Sequence, residues 1–512
     1  MNVSYLLDRQ VDLVPERTAM LLDDGATRSW AETQVRVDRL AGGLRDLGIG
    51  TGDRVAILAL NGPHYLEASW AAARLGAILQ TMNMRLSPAE LAYQIGDAEP
   101  KLMLVSPPLA ELGDAAVPDL DKLAVGGATG PGTVEDLIAA SDPVDGLMPV
   151  APDDTLAIFY TSGTTGTPKG VMITHQNVLA NSAFLLPAIG YRAEDVTLHV
   201  APMFHVSDFC ASFAQLLAGG QHAFLPQFTP DGVPAAIEQY RATNLILIPA
   251  MINALVRHPA VAKHDLASWR LMFYGGAPIS EDLLRRCFDQ LPCGLAQGYG
   301  QTEATHTISV LTEDDHRRAL EDPRLLRACG RPLLGVQARV VDPAGAALPA
   351  GDVGEIVVRA PNVMRGYWRH EEATAEAIRD GWLHTGDLGT LDAEGYLALV
   401  DRKKDMIVSG GENVSSAEVE NALASHPAVV ESAAIAVPDD TLGERVHAVV
   451  VLAEGQEAGE AELQAHCRKT IAGYKIPRSF ELVAELPKTA AGKVRKAELR
   501  APHWAGRDRA IG

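Results

Sequence analysis

Cysteine is scarce in this chain. Five (Cys210, Cys287, Cys293, Cys329 and Cys467) occur among 512 residues, with no C-x-x-C pair and no regular spacing. That excludes a disulfide framework, reads as unpaired thiols in a reducing compartment, and argues against a structural zinc site. Long apolar runs are missing too. Residues 245–256, the most apolar stretch, are interrupted by Pro249 and Asn253 and fall short of the roughly 20 residues that span a bilayer. Residues 1–10 meet Asp8 and Arg9 and hold no apolar core, so they do not read as a signal peptide. Basic charge is in deficit: 44 Lys+Arg face 65 Asp+Glu, a net −21. So acidic a chain is a poor general binder of nucleic acid or anionic membrane. The expectation is a soluble, cytoplasmic protein without an integral membrane segment, acting on small molecules. A homodimer stays open.

What is present points to an enzyme. Hydrophobic residues make up 47% of the chain, too many for a disordered one. Through residues 1–150, helical spacing at 30–47 and 65–75 alternates with apolar runs at 55–60, 78–79 and 101–105. Such alternation implies βαβ units and a parallel sheet. Residues 106–150 read as loop-rich, with Pro, Gly, Asp and Ala. A second α/β set follows, with strands at 155–160, 197–202, 222–225, 245–248 and 271–274 and a helix at 176–188. From Val336 the texture turns antiparallel (336–341, 355–359, 395–400), a small barrel or sheet. Past a charged join at Asp401-Arg402-Lys403-Lys404-Asp405 comes a compact α/β piece, with helices at 417–424 and 460–470 and strands at 432–437, 447–452 and 479–483. Residues 402–512 hold 15 Lys+Arg against 16 Asp+Glu, so most of the negative charge lies before them.

The densest chemical signal is Tyr160-Thr161-Ser162-Gly163-Thr164-Thr165-Gly166-Thr167-Pro168-Lys169-Gly170, directly after a predicted strand. Its glycines let backbone approach a ligand, and its hydroxyls and Lys169 offer donors, a combination that suits polyphosphate. It is not a Walker A loop, because Pro168 stands where the second glycine belongs. Gly275-Gly276-Ala277-Pro278 follows another predicted strand, where small residues would let a flat ring lie on backbone. In Tyr299-Gly300-Gln301-Thr302-Glu303, a carboxylate beside a hydroxyl suits Mg²⁺ next to phosphates. Asp387, in His384-Thr385-Gly386-Asp387, is a double acceptor fit for two ribose hydroxyls. Read alone, Glu303 is more often a surface residue and Asp387 more often a turn residue, and Arg402 reads as a linker charge.

These segments, in this order, resemble the landmarks of the adenylate-forming superfamily: acyl-CoA synthetases, peptide-synthetase adenylation domains and firefly luciferases. Ser409-Gly410-Gly411-Glu412-Asn413 and Pro487-Lys488-Thr489-Ala490-Ala491-Gly492-Lys493 resemble its two C-terminal motifs. The resemblance covers essentially the whole chain. It implies an α/β fold: a large N-terminal domain of two α/β subdomains plus a small β-barrel (1–401), then a small mobile α/β domain (402–512). The implied reaction joins a carboxylic acid to coenzyme A through an acyl-adenylate, with ATP and Mg²⁺. Lys493 would bridge the carboxylate and the α-phosphate, and Glu303 would hold the metal beside Thr302. Thr161, Ser162, Gly163, Thr164, Thr165, Gly166 and Lys169 would hold phosphates. Gly275, Gly276, Ala277, Pro278, Gln297, Gly298, Tyr299, Gly300, Asp387, Leu399 and Arg402 would hold the rest of the nucleotide. Lys404 falls at the hinge, and Gly410, Gly411 and Tyr474 on the coenzyme A side. Ser415-Ser416 departs from the aromatic-Pro pair of many relatives, which could loosen that turn.

Pro202-Met203-Phe204-His205 resembles the segment lining the acyl pocket, with His205 near the reacting carboxylate. The pocket set is Phe204, His205, Val206, Phe209, Met251, Gly275, Gly300 and Ile308, mostly apolar and without Lys or Arg. A medium- or long-chain fatty acid or an aryl acid fits it better than a dicarboxylate. An acyl-AMP ligase without transfer to coenzyme A, and an adenylate-binding regulator without turnover, are the alternatives.

Overall fold

The structure is a computed structural model. It describes residues 1–126, 130, 132–161, 168–276, 279, 281–402, 405–409, 412–439, 442–489 and 493–505. Three sheets organise it. Parallel strands covered on both faces need unbroken apolar runs, and the N-terminal part supplies them. Arg54–Leu58, Ile78–Thr81, Leu102–Val105 and Lys122–Ala124 pair in parallel around the centre of a seven-stranded sheet. Ile78–Thr81 also pairs in parallel with Thr155–Thr161, which turns back antiparallel into Lys169–Thr174. The short strand Gly366–Tyr367 closes this edge from 200 residues downstream in the fold's second half, pairing Tyr367 with Val171.

The second sheet has fourteen strands. Its parallel centre runs through Gln221–Phe224, Val196–His199, Asn244–Leu247, Leu271–Gly275 and Gly294–Tyr299. It continues antiparallel through Ser309–Leu311 and Ala328–Pro332 into Leu397–Arg402, Trp382–Leu391, Gly354–Arg359 and Gln337–Val341. The expected barrel region is thus an antiparallel wing, continuous with the large sheet through the pairing of Ala328 with Ala398. One apolar cluster, with Trp30, Trp70 and Phe213 fully buried, joins the helices on the first two sheets.

The third, five-stranded sheet is built from Ile407–Ser409, Glu412–Val414, Val429–Asp439, Gly443–Leu452 and Ser479–Leu482. It has its own core of Ile407, Val419, Leu423, Ala436, Val450 and Leu463.

Local expectations are refined. Loop-rich residues 106–150 also hold short helices Ala110–Ala116 and Val134–Ala140, which flank strand Lys122–Ala124. Two-turn helices show too little periodicity to read; the signal was the Thr133 cap, whose side chain accepts from the Asp136 N–H at 3.1 Å. Ser415 does not loosen its turn. Its hydroxyl donates to the Val400 carbonyl at 2.5 Å and caps helix Ser416–Ala424. The helix expected over 460–470 ends earlier, as Glu460–Cys467. The five cysteines are unpaired. Among the described residues no helix is long and apolar enough to cross a membrane.

Candidate active site

The phosphate segment joins two antiparallel strands, with Thr161 directly opposite Lys169. Ser162, Gly163, Thr164, Thr165 and Gly166 lie outside the described residues, as do Ala277, Pro278, Lys404, Gly410 and Gly411. Lys169 Nζ stands 5.2 Å from the centre of the Tyr367 ring, and the Tyr367 hydroxyl donates to Glu303 Oε1 at 3.0 Å. Tyr367 therefore links two residues singled out from the sequence, Lys169 and Glu303. Burial and the Glu303 charge push the Tyr367 hydroxyl above its ordinary pKa, so it stays a donor. The Glu303 carbonyl accepts from the Met364 N–H at 2.8 Å, which fixes the backbone under that carboxylate.

Next to this cluster the large sheet offers bare backbone. Gly275 and Gly298 are neighbours in parallel register. A Cβ on Gly275 would lie 2.3 Å from the Gly298 oxygen, and one on Gly298 would lie 2.6 Å from the Phe273 ring. No side chain fits at either place, so the two strand ends approach each other and the Phe273 ring through backbone alone. Tyr299, at the end of its strand, donates to Asp387 Oδ2 at 2.9 Å, and both residues are 7% exposed. The strand pairing sets Asp387 opposite Arg402. Gln297 lies two residues before Tyr299 in the same strand, while Leu399 is largely exposed.

Gly300 is required by close approach: a Cβ there would lie 1.9 Å from the His306 carbonyl oxygen. The turn Thr302–Ala304 presents Thr302 and Glu303, and is followed by Thr305 and His306 at φ 50° and 79°. Left-handed backbone in non-glycine residues costs on the order of 1 kcal/mol each and persists only where surroundings hold it. Asn362, 1% exposed, does so, donating to the Ala304 carbonyl at 2.9 Å and the Thr307 carbonyl at 2.8 Å.

The His205 loop is held from the other sheet. Asn61 donates to the Ala201 carbonyl at 3.0 Å and to the Leu225 carbonyl at 3.2 Å, and accepts from the Met203 N–H at 2.9 Å. Thr81 donates to the Phe204 carbonyl at 2.9 Å. His205 then opens helix Val206–Ala218, its ring 4.5 Å from that of Phe204 and its Nε2 buried without a hydrogen-bond partner. Burial, then the charges of Lys493 and Arg85, hold the imidazole down to about 3, so it is neutral at physiological pH. The charge of Lys493, from the C-terminal part, thus acts on this loop. The Lys493 backbone is fixed by the pairing of Lys488 with Val494 and by a hydrogen bond from its N–H to Thr489 Oγ1 at 3.2 Å.

Of the acyl set, Phe204, Val206, Phe209 and Ile308 share one buried cluster. Phe209 meets Phe159 edge-on and Phe213 at a tilt. Met251 packs in a separate cluster with Tyr274 and Ile252. Tyr474, on the coenzyme A side, is exposed beside Lys475.

Sequence reading missed Asn61, Thr81, Arg85, Asn362 and Tyr367. Faint signals existed: an Asn-Gly pair just after a strand, Pro361-Asn362, and Gly366-Tyr367-Trp368 in a loop. Their partners lie far away in sequence, so no local pattern announced them. Arg85 also amends the reading of the pocket as lacking a cation, since it brings a second positive charge to His205.

The chain belongs to the AMP-binding enzyme family, within the adenylate-forming superfamily: residues 7–368 match that family and residues 418–493 match the AMP-binding enzyme C-terminal domain. It is 41% identical over 497 residues to a feruloyl-CoA synthase from Amycolatopsis sp, covering 96% of this chain and 97% of that protein. It is 35% identical to an indoleacetate–CoA ligase from Aromatoleum aromaticum, over 98% of each chain. Among solved structures, ATP-bound MatB from Rhodopseudomonas palustris superposes with a TM-score of 0.89 at 34% identity, covering 98% of this chain and 99% of that one. The amide bond synthetase McbA from Marinactinospora thermotolerans gives 0.86 at 32% identity, over 97% and 99%. The protein is therefore an acid-activating enzyme of the CoA-ligase and amide-synthetase branch.

Proposed function

We propose that the protein is an ATP-dependent carboxylic acid:CoA ligase whose acid is a planar aryl acid of the hydroxycinnamate kind. The ligase reading is supported by the positive charge of Lys493 and Arg85 acting on His205, in a loop held by Asn61 and Thr81. A carboxylate is already a nucleophile, so adenylation needs positive charge and orientation more than a base. In the first half-reaction a carboxylate oxygen attacks the α-phosphorus of ATP and pyrophosphate leaves. Lys493 and Arg85 offset the repulsion between the two anions. Neutral His205 borders the acid without competing for it as a cation. Thr161 and Lys169 flank the β- and γ-phosphates, and Asp387, held by Tyr299, accepts from the ribose. In the second half-reaction the coenzyme A sulfur attacks the acyl carbon, AMP leaves with the bridging oxygen, and the thiol proton passes to solvent. The domains 1–401 and 402–512 are the units that would move between these steps.

Mg²⁺ fits at Glu303: one carboxylate oxygen takes the Tyr367 hydroxyl, and a carboxylate beside the Thr302 hydroxyl is the kind of oxygen set this ion accepts. When bound, the ion neutralises charge on the phosphates. The aryl preference rests on the likeness to feruloyl-CoA synthase and on the buried apolar surface of Phe204, Val206 and Ile308. A second reading is supported by the 34% identity to the fatty acid–[acyl-carrier-protein] ligase ScoC of Streptomyces coeruleorubidus: transfer to a carrier-protein thiol in place of coenzyme A. The test is AMP release with purified protein, Mg·ATP and a panel of ferulic, coumaric, benzoic, indoleacetic and graded fatty acids, with and without coenzyme A. Coenzyme A-dependent release led by the hydroxycinnamates is expected. Pyrophosphate release without any coenzyme A dependence would favour the second reading, and fatty acids leading the panel would refute the aryl assignment.

A further inference from the structure

We infer that His447, Glu481 and His503 form a transition-metal site, suited best to Zn²⁺, that fastens the end of the chain to the third sheet. The three residues belong to no part of the active site described above. Strands Gly443–Leu452 and Ser479–Leu482 are parallel neighbours, with His447 opposite Ser479 and Val449 opposite Glu481. Side chains alternate along a strand, so His447, Ser479 and Glu481 share one face. His503 comes from the turn after helix Lys496–Arg500, its ring 5.0 Å from that of His447.

The His447 side chain is 6% exposed, and its Nδ1 is 2.8 Å from Ser479 Oγ. That contact fixes the ring and aims Nε2 at Glu481, whose Oε2 is 3.9 Å away. Nε2 itself is buried and has no hydrogen-bond partner. A ring nitrogen held by an outer hydrogen bond, with the other nitrogen bare, is how metal-binding histidines are oriented. One ligand atom from each of His447, Glu481 and His503 lies within 4.8 Å of the others. Ligands on tetrahedral zinc at about 2.0–2.1 Å stand about 3.3 Å apart. Glu481 and His503 are the exposed members, so rotation of their side chains closes that gap around a fixed His447.

Two imidazoles and one carboxylate select zinc-like ions over Mg²⁺ and Ca²⁺, which prefer all-oxygen sets. Three protein ligands leave a fourth position for water. Cysteine spacing spoke against a structural zinc site, but this one uses no thiolate and no short motif. An ion here would act on the segment that carries Lys493. Trp504 Nε1 donates to the Ala436 carbonyl at 2.9 Å, and Arg500 pairs with Asp405 at 2.6 Å, so the same turn and helix already dock on this unit.

The test uses untagged full-length protein, stripped with a chelator and titrated with zinc sulfate by calorimetry, and with Co²⁺ by visible absorption. One saturable zinc equivalent is expected, with a tetrahedral Co²⁺ spectrum. His503→Ala and Glu481→Gln, both at exposed positions, should each weaken zinc by about tenfold or more and abolish that spectrum. They should leave the circular dichroism of the metal-free protein unchanged. Wild type showing no saturable zinc binding, or a titration identical to those of both variants, would overturn the assignment.

Discussion

Tyr367→Phe tests the site most sharply, because it removes one hydroxyl and keeps everything else. In the structure that hydroxyl donates to Glu303 Oε1 at 3.0 Å, and the ring faces Lys169 Nζ at 5.2 Å. A hydrogen bond to a charged acceptor contributes about 1.5–3 kcal/mol. Glu303 is half-buried, so water recovers part of this, leaving about 1 kcal/mol as the cost of an unguided carboxylate. At 1.36 kcal/mol per decade, adenylation at limiting Mg²⁺ should fall about five- to tenfold. Phenylalanine retains a ring for Lys169, so the ATP KM should change little. Tyr367→Leu removes the ring as well and should raise that KM.

The assay is pyrophosphate release in a single turnover, titrated with Mg²⁺ at saturating ATP and acid. Glu303→Gln provides the ceiling, with a larger right-shift of the same titration. Because the Tyr367 hydroxyl sits above its ordinary pKa, it titrates in neither state of the site near neutrality. The pH–rate profiles of wild type and Tyr367→Phe should therefore have one shape. An unchanged Mg²⁺ titration in Tyr367→Phe, with Glu303→Gln impaired, would refute the positioning role. If both titrations stay unchanged, Glu303 is not the metal ligand.

Lys493→Ala should lower adenylation by about 100-fold or more while sparing thioester formation from supplied acyl-AMP; equal loss of both half-reactions would contradict its assignment to the first. Asn61→Ala strands the Met203 N–H and the Ala201 carbonyl, which should cost about 2–4 kcal/mol in urea unfolding and raise the KM for the acid more than that for ATP. Burial holds His175, His306 and His316 at about 4, and burial with Lys493 and Arg85 holds His205 at about 3. Their folded pKa values lie below the unfolded 6.5, so the unfolded chain takes up protons first as pH falls through 6.5 towards 4. Stability should drop across that window by up to about 1.4 kcal/mol per pH unit for each histidine, and urea midpoints that stay level as pH is lowered through it would refute their burial as neutral rings.

The order of the site segments was legible because each carries its own chemistry in a short stretch. Gly275 reads from the sequence as a place for small residues, and the structure supplies the obstacle, the Gly298 oxygen; the obstacles at Gly298 and Gly300, the Phe273 ring and the His306 carbonyl, carried no such signal. Alternating helices and apolar runs likewise gave away the parallel sheets. What stayed hidden was contributed across long sequence gaps. Gly366–Tyr367 belongs by sequence to the antiparallel wing yet pairs with Lys169–Thr174. Two residues are too few for a strand signature, so Tyr367 could not be placed beside Glu303 beforehand. Asn61 and Asn362 were invisible for a related reason: an asparagine after a strand is an ordinary turn residue until its amide is seen to satisfy loop carbonyls elsewhere.

Those asparagines explain how a loop can be both irregular and rigid. The segment Pro202–His205 leaves its strand and must hold His205 still without a ladder of its own. Buried backbone groups in such a loop need partners. Asn61 and Thr81 provide them from the first sheet, so the loop of the second sheet is indexed to the first. Asn362 does the same for Ala304 and Thr307, tying the Glu303 turn to the segment that leads into Tyr367. The acid side and the metal side of the site are thereby fixed by different long-range amides. Loss of one should disturb one substrate more than the other. A KM effect confined to the acid in Asn61→Ala, beside one on Mg²⁺ dependence in Asn362→Ala, is the pattern this division requires.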